Sequence, residues 1–403
     1  MLVRGMVVRL VEWRAEWFSD PARRLQYLQR EMTRQPQPKP TPRQKKPLSN
    51  ATKLAIGFVF TLAFIATALL RPETKRLLGR TLAAISLPAL RTTKPRTNST
   101  PILHRTAATE PARVWLVEST ADSDLYSNGL RIQKQYLTGT QPRAYVTFPR
   151  DRIEPSAGQW RFQPAGVVFH TTESHMAPFE EDHTQTLRRD GEGMLEYVRR
   201  NRSYHFVIDR FGQVFRIVRE SDYANHAGHS IWADEKTVYI NLNQSFLGIA
   251  FEAQSRHEDE GLPVNPAQVH AGRILTEMLR AIYGIPEQNC VAHAQVSVNP
   301  ANLRAGFHVD WAANLPFHDL GLSDNYRQPL PSVLIFGFGV DNVLAGAGGE
   351  SLRQALQAAE DQLRDQAAAQ NMPLNRYRET LQKKYREAHS ALHAKGLLGE
   401  NNS

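Results

Sequence analysis

The stretch Pro164–His175, PAGVVFHTTESH, decides how the rest of the chain is read. Gly166 to Phe169 is a short apolar run rich in β-branched and aromatic residues, as expected of a strand buried on both faces. It ends on His170, and two threonines, Glu173, Ser174 and a second histidine follow. A histidine at a strand end is ordinarily a capped or half-exposed residue. It acquires another meaning only if distant parts of the chain bring matching side chains to the same place.

On either side of this run the pattern is mixed. Strands are expected at His205 to Ile208, Gln213 to Val218 and Leu247 to Glu252, with helices between them. YHFVIDRFGQVFRIV reads as a hairpin turning at Arg210 to Gly212. A helix is expected over Pro266 to Tyr283. Asn265 is its N-cap, Pro266 lies in its first turn, Ile274, Met278 and Ile282 form one stripe, and Gly284 is the stop. Residues 161–322 therefore read as one α/β domain, a mixed central β-sheet flanked by helices.

The 403 residues leave room for more, and 41% hydrophobic content is enough for a real core. RVWLVEST, GLRIQKQYL and RAYVTFP, separated by turn-like DSDLYSNG and TGTQPR, read as a small β module over 111–160. After the domain, 323–403 reads as a helical region. It has two amphipathic helices broken at Pro373, a form that suits a solvated hairpin or docking onto a protein partner.

The strongest signal before residue 110 is LAIGFVFTLAFIATALL, Leu54 to Leu70, which has neither charge nor proline. With its neighbours it approaches the ~20 residues that a spanning helix needs, so 51–71 is expected to be a transmembrane helix. A cleaved signal peptide ending near ATA, with translation starting at Met32, is the rival reading. The basic residues ahead of the segment favour a cytoplasmic 1–50 and an extracytoplasmic bulk, with 72–110 as a polar, proline-rich linker. The net charge of +9 arises mainly from Lys and Arg before residue 110 rather than from one aromatic-studded patch, which argues against nucleic acid as partner. Cys290 is the one cysteine, so no intramolecular disulfide and no all-cysteine metal site can form.

Three histidines, His170, His293 and His308, sit at the edges of buried elements. A catalytic zinc takes three protein ligands and keeps a further position for water, and its ligands need only be delivered to one point by rigid strand ends. VVFHTTES, SYHFVIDRFGQVFRIV, ANHAGHS, LGIAFEAQ and VAHAQVSVNP, in that order, resemble the zinc-dependent N-acetylmuramoyl-L-alanine amidases related to peptidoglycan-recognition proteins. The resemblance covers about Pro164 to Leu322.

That resemblance implies zinc held by His170 and His293. His308 is the preferred third ligand and Asp310 the alternative. It places His226 on the substrate side and makes Tyr204 a polarising or proton-donating group. Family members often carry Glu after the Gly-Ile of the central strand, but here Ala250 stands in that place. Glu252 then becomes the candidate base and Arg304 a substrate clamp. The implied partner is peptidoglycan, reached from a membrane anchor. A non-catalytic wall-binding module and an amidase for another N-acyl substrate are the other readings.

Overall fold

The computed structural model describes residues 113–398. The expected basic segment 1–50, transmembrane helix 51–71 and linker 72–110 lie outside the described residues. Among the described residues no helix is long and apolar enough to cross a membrane.

Short apolar and alternating runs form the strands β1 (Leu116–Ser119), β2 (Ser123–Tyr126), β3 (Arg131–Gln133), β4 (Tyr145–Pro149), β5 (Gln159–Arg161) and β6 (Gly166–Thr171). They continue with β7 (Phe206–Ile208), β8 (Val214–Arg216), β9 (Ile231–Ala233), β10 (Thr237–Ile240), β11 (Phe246–Phe251) and β12 (Cys290–Ala292). The central sheet runs β1-β2-β3-β8-β7-β11-β6-β12 and is mixed. β7, β11, β6 and β12 are parallel neighbours, and the β7–β8 hairpin reverses direction. Each of the six β6 residues is buried, as its continuous apolar run requires. The strand continues through His170 to Thr171, because pairing with β11 carries on to Phe251.

The small β module has no layer of its own. β1, β2 and β3 extend the central sheet beyond β8, while β4 and β5 join β10 and β9 in a second sheet. β2 lies inside DSDLYSNG, a segment whose polarity suggested only a turn.

Helices α1 (Thr184–Asn201) and α2 (Pro266–Tyr283) cover the two faces of the central sheet. Val167, Phe169, Leu247, Ile249 and Phe251 face Ala271, Leu275, Met278 and Leu279 of α2. Burying each such Leu or Met contributes roughly 1.5–3 kcal/mol. On the opposite face Val207, Phe215 and Ala250 meet Met194, Leu195 and Val198 of α1. α2 begins in a capping box in which Asn265 accepts from the Gln268 amide, and it ends at Gly284 with φ 65°. Its inward face is rotated from the expected stripe. Met278 is buried, Ile274 is partly buried, and Ile282, near the end of the helix, is 43% exposed.

The C-terminal region folds back onto this domain. β13 (Val298–Asn299), β14 (Arg304–Ala305) and β15 (Gly339–Val340) form a small third sheet. α3 (Glu350–Ala369) and α4 (Leu374–Ala394) follow. Leu352, Leu356, Leu363 and Leu381 enter the main core, and Tyr385, Ala388 and Leu392 pack with Phe336 and Phe338. The apolar stripes that suggested a protein partner are therefore covered by the chain's own domain.

Candidate metal centre

Parallel pairing builds the site. β6 and β12 are neighbours, so His170, next to last in β6, and His293, directly after β12, emerge at the same end of the sheet. Their ring centroids are 4.4 Å apart. Asp310 comes from the loop after β14. Its Oδ2 is 3.1 Å from His170 Nδ1, and its Oδ1 is 2.7 Å from His293 Nδ1. Asp310 is fixed at both ends: its carbonyl accepts from the Ala294 amide at 3.2 Å, and Trp311 next to it is buried against Phe251. Trp311 holds φ 56°, a left-handed conformation costing a bulky residue on the order of 1–3 kcal/mol, which its packing offsets.

His170, His293 and Asp310 can hold a metal ion, since their ligand atoms lie within 4.8 Å of one another. The three side chains are 1%, 6% and 11% exposed. Burial, and then the neighbouring His293, lowers the His170 pKa to about 4, so its imidazole is neutral at pH 7. Burial alone would raise the Asp310 carboxyl. The charge of His293 and hydrogen bonds from both histidines hold it far below the usual carboxylate range instead. Among the described residues His293 Nε2 has no hydrogen-bond partner. Two imidazoles and an ionised carboxylate on one point suit a catalytic zinc.

The other expected site residues are placed as follows. His308 is outside the three-residue group: it is exposed, its backbone N–H donates to Ser297 Oγ, and its ring stacks on His293 with centroids 4.9 Å apart. Asp310, the alternative ligand, occupies the convergent position. The Tyr204 ring is 5.0 Å from that of His170, its backbone is left-handed at φ 58°, and burial together with the Asp310 charge raises its phenol pKa.

His226 lies behind His170, with its Nδ1 3.1 Å from His170 Nε2, and is 9% exposed. That position is buried and is not a substrate-facing surface. Ala250 stands beside His170 in the sheet. Glu252, two residues on, is buried, and its Oε2 accepts the Arg210 backbone N–H at 3.0 Å. Arg304 is exposed and donates to the Val340 carbonyl at 2.8 Å. Cys290 is buried, and burial pushes its thiol up to about 12, which leaves it inert. His205, on the β7–β8 hairpin that the resemblance gives to the substrate side, lies next to His226, with ring centroids 5.6 Å apart. It is buried, and its Nδ1 accepts the Gly248 N–H at 2.9 Å.

Residues 160–304 match the family model described as N-acetylmuramoyl-L-alanine amidase. Among solved structures, the chain is similar to the N-acetylmuramyl-L-alanine amidase AmiD from E. coli, at 19% identity and TM-score 0.33. That match covers 58% of this chain and 90% of AmiD. It is also similar to AmpDh3 from Pseudomonas aeruginosa, at 21% identity and TM-score 0.31, covering 49% and 84% of the two chains. A third is the N-acetylmuramoyl-L-alanine amidase LysC from Clostridium intestinale, at 19% identity and TM-score 0.26, covering 47% and 93%. No curated protein matches significantly.

Proposed function

We propose, from the premise that residues 160–304 belong to the N-acetylmuramoyl-L-alanine amidase family, that this protein hydrolyses the amide between N-acetylmuramic acid and L-alanine in peptidoglycan. The observation that carries the reading is the meeting of His170 Nδ1 and His293 Nδ1 on the one carboxylate of Asp310. These three residues would hold a zinc ion, with Asp310 rather than His308 as the third ligand. Zinc bound there would acidify a water toward a pKa of about 7 and polarise the scissile carbonyl.

The chain's own residues supply the remainder. Tyr204, beside His170 and with its phenol pKa raised, keeps its proton at neutral pH and donates it as a hydrogen bond to the oxygen on which charge develops. The trapped position of Asp310 keeps a negative charge at the site without a rearrangement during the reaction. Peptidoglycan lies outside the cytoplasmic membrane, so the reaction belongs there, with the uncharged segment within 51–71 as the proposed anchor.

Ala250 beside His170 is the feature that favours the second reading, a wall-binding module. The test is product mapping by mass spectrometry on purified peptidoglycan. Stem peptides with a free L-alanine N-terminus should appear, disappear after chelation and return with added zinc. Tyr204→Phe should slow their release about 100-fold. Binding to the wall without release of any peptide would replace the hydrolase by the module.

A further inference from the structure

We infer that His226 is a positioning residue that sets the tautomer and ring orientation of His170 for metal binding, an inference that rests on the function proposed above. His226 belongs to the loop between β8 and β9, and that loop is tightly held. Asn243 Oδ1 accepts the backbone N–H groups of His226, Ala227 and Gly228 at 2.8, 2.6 and 3.2 Å. The imidazole fills space that exists only because residue 248 lacks a side chain: a Cβ on Gly248 would lie 2.6 Å from His226 Cγ. The ring is thus built into the sheet face directly behind His170.

The hydrogen bonds give this placement a direction. His226 Nδ1 is 3.1 Å from His170 Nε2, and His226 Nε2 is 3.3 Å from the Phe246 carbonyl oxygen. A neutral imidazole has one N–H and one lone pair. Phe246 O can only accept, so the His226 proton belongs on Nε2, and its Nδ1 is left as an acceptor. With an ion at the site, His170 then donates from Nε2 and turns its Nδ1 lone pair to the ion; without one, the Asp310 carboxylate, 3.1 Å from Nδ1, competes with His226 for the same proton. The reversed arrangement would set two lone pairs against each other at Phe246 and put the His170 proton on the nitrogen that faces the ion site. Such partners typically change metal affinity by ~10 to 100-fold.

The experiment uses the full chain and compares His226→Leu with His226→Gln. Leu fills the space without an acceptor, and Gln retains both an acceptor and a donor. Zinc dissociation constants would be read by competition with a chromogenic chelator, and unfolding of the metal-free proteins would be followed in parallel. The Leu variant should bind zinc ~10 to 100-fold more weakly, the Gln variant should recover most of the loss, and the metal-free unfolding temperatures should stay close. Equal zinc affinity in the Leu variant and wild type overturns the inference, as does an equal loss in both variants. If the Leu variant fails to fold, nitrogen-15 spectra of histidine in the metal-free wild type decide: a proton on His170 Nε2 supports the inference and a proton on Nδ1 overturns it. A wild type that binds no zinc removes the proposed function as well, which separates the two failures.

Discussion

Two buried polar clusters share the central sheet, separated by β7 and β11, and they are built on opposite plans. On the β8 side Arg216 donates to Asp124, to Glu220 Oε1 at 2.9 Å and to the Tyr126 hydroxyl at 3.1 Å, while Lys134 Nζ donates to Asp124 Oδ1 at 2.8 Å. Two cations meet two carboxylates, and the cluster fastens β2 and the end of β3 to β8. Burial would raise the Asp124 carboxyl, but hydrogen bonds from Lys134, Ser119 and Arg216 bring it down to about 2. At the β6 and β12 end, two imidazoles face a single ionised carboxylate, and His293 Nε2 has no partner among the described residues. Among the described residues, that cluster has a negative charge with no Lys or Arg paired to it. A structural network closes its charges on itself, whereas a binding site leaves one open for what it binds.

The largest effect expected from this difference is on metal. Asp310→Ala should reduce zinc affinity and amide hydrolysis by several orders of magnitude, since a third ligand is lost, while the metal-free protein unfolds at nearly the wild-type temperature. His308→Ala should lower zinc affinity less than about tenfold, because that ring only stacks on His293. Equilibrium dialysis and calorimetry on both variants would check this. Zinc lost with His308 and kept without Asp310 would reverse the ligand assignment.

Arg216→Ala should show the opposite signature. Removing one partner of a buried ion network leaves the others uncompensated and costs about 3–5 kcal/mol of stability. Zinc affinity of the folded fraction should be unchanged, since β7 and β11 stand between the two clusters. Denaturant unfolding and a zinc titration on the same sample measure both quantities. A variant that loses metal in proportion to stability would show that the clusters are coupled, and the contrast would fail.

The same contrast explains what could be read in the sequence. The runs that became β6, β11 and β12 are continuous and apolar, and α2 carries its own start and stop in Asn265 and Gly284, so local chemistry was enough. His170 and His293 followed, since each stands at the end of such a run. The third member of the cluster was not legible, because the choice between His308 and Asp310 is a two-residue offset in a loop. The Ala294 N–H on the Asp310 carbonyl and the left-handed Trp311 bring the Asp310 carboxylate to the two histidines. The apolar Trp311 directly after the carboxylate was the available signal. β2 was hidden for a related reason: the buried Asp124 is paired by Lys134 and by Arg216, the latter 92 residues away. His226 looked substrate-facing because nothing local announces that Gly248 opens a space for its ring.

Glu252 lies between the two plans and gives the smallest expected effect. It is a buried carboxyl whose hydrogen bond comes from the Arg210 backbone, while the Arg210 guanidinium donates to the Ala177 carbonyl and lies over the Phe179 ring. Burial raises its pKa from 4.5 to about 7, and the nearby charges of Asp209 and Asp190 add to the rise. The folded state therefore binds this proton more tightly than the unfolded chain. Its contribution to stability is fully present below about pH 4.5 and is lost as the pH climbs through 7. Glu252→Gln keeps an acceptor for the Arg210 N–H and cannot ionise. It should be more stable than wild type by on the order of 2 kcal/mol at pH 8, and the difference should vanish near pH 4.5. Denaturation midpoints at the two pH values measure this directly. Turnover should fall less than about tenfold, well short of the loss expected of Tyr204→Phe. A Gln variant no more stable at pH 8, with turnover reduced as far as by Tyr204→Phe, would instead place Glu252 among the reacting groups, as the proton acceptor that Ala250 cannot be.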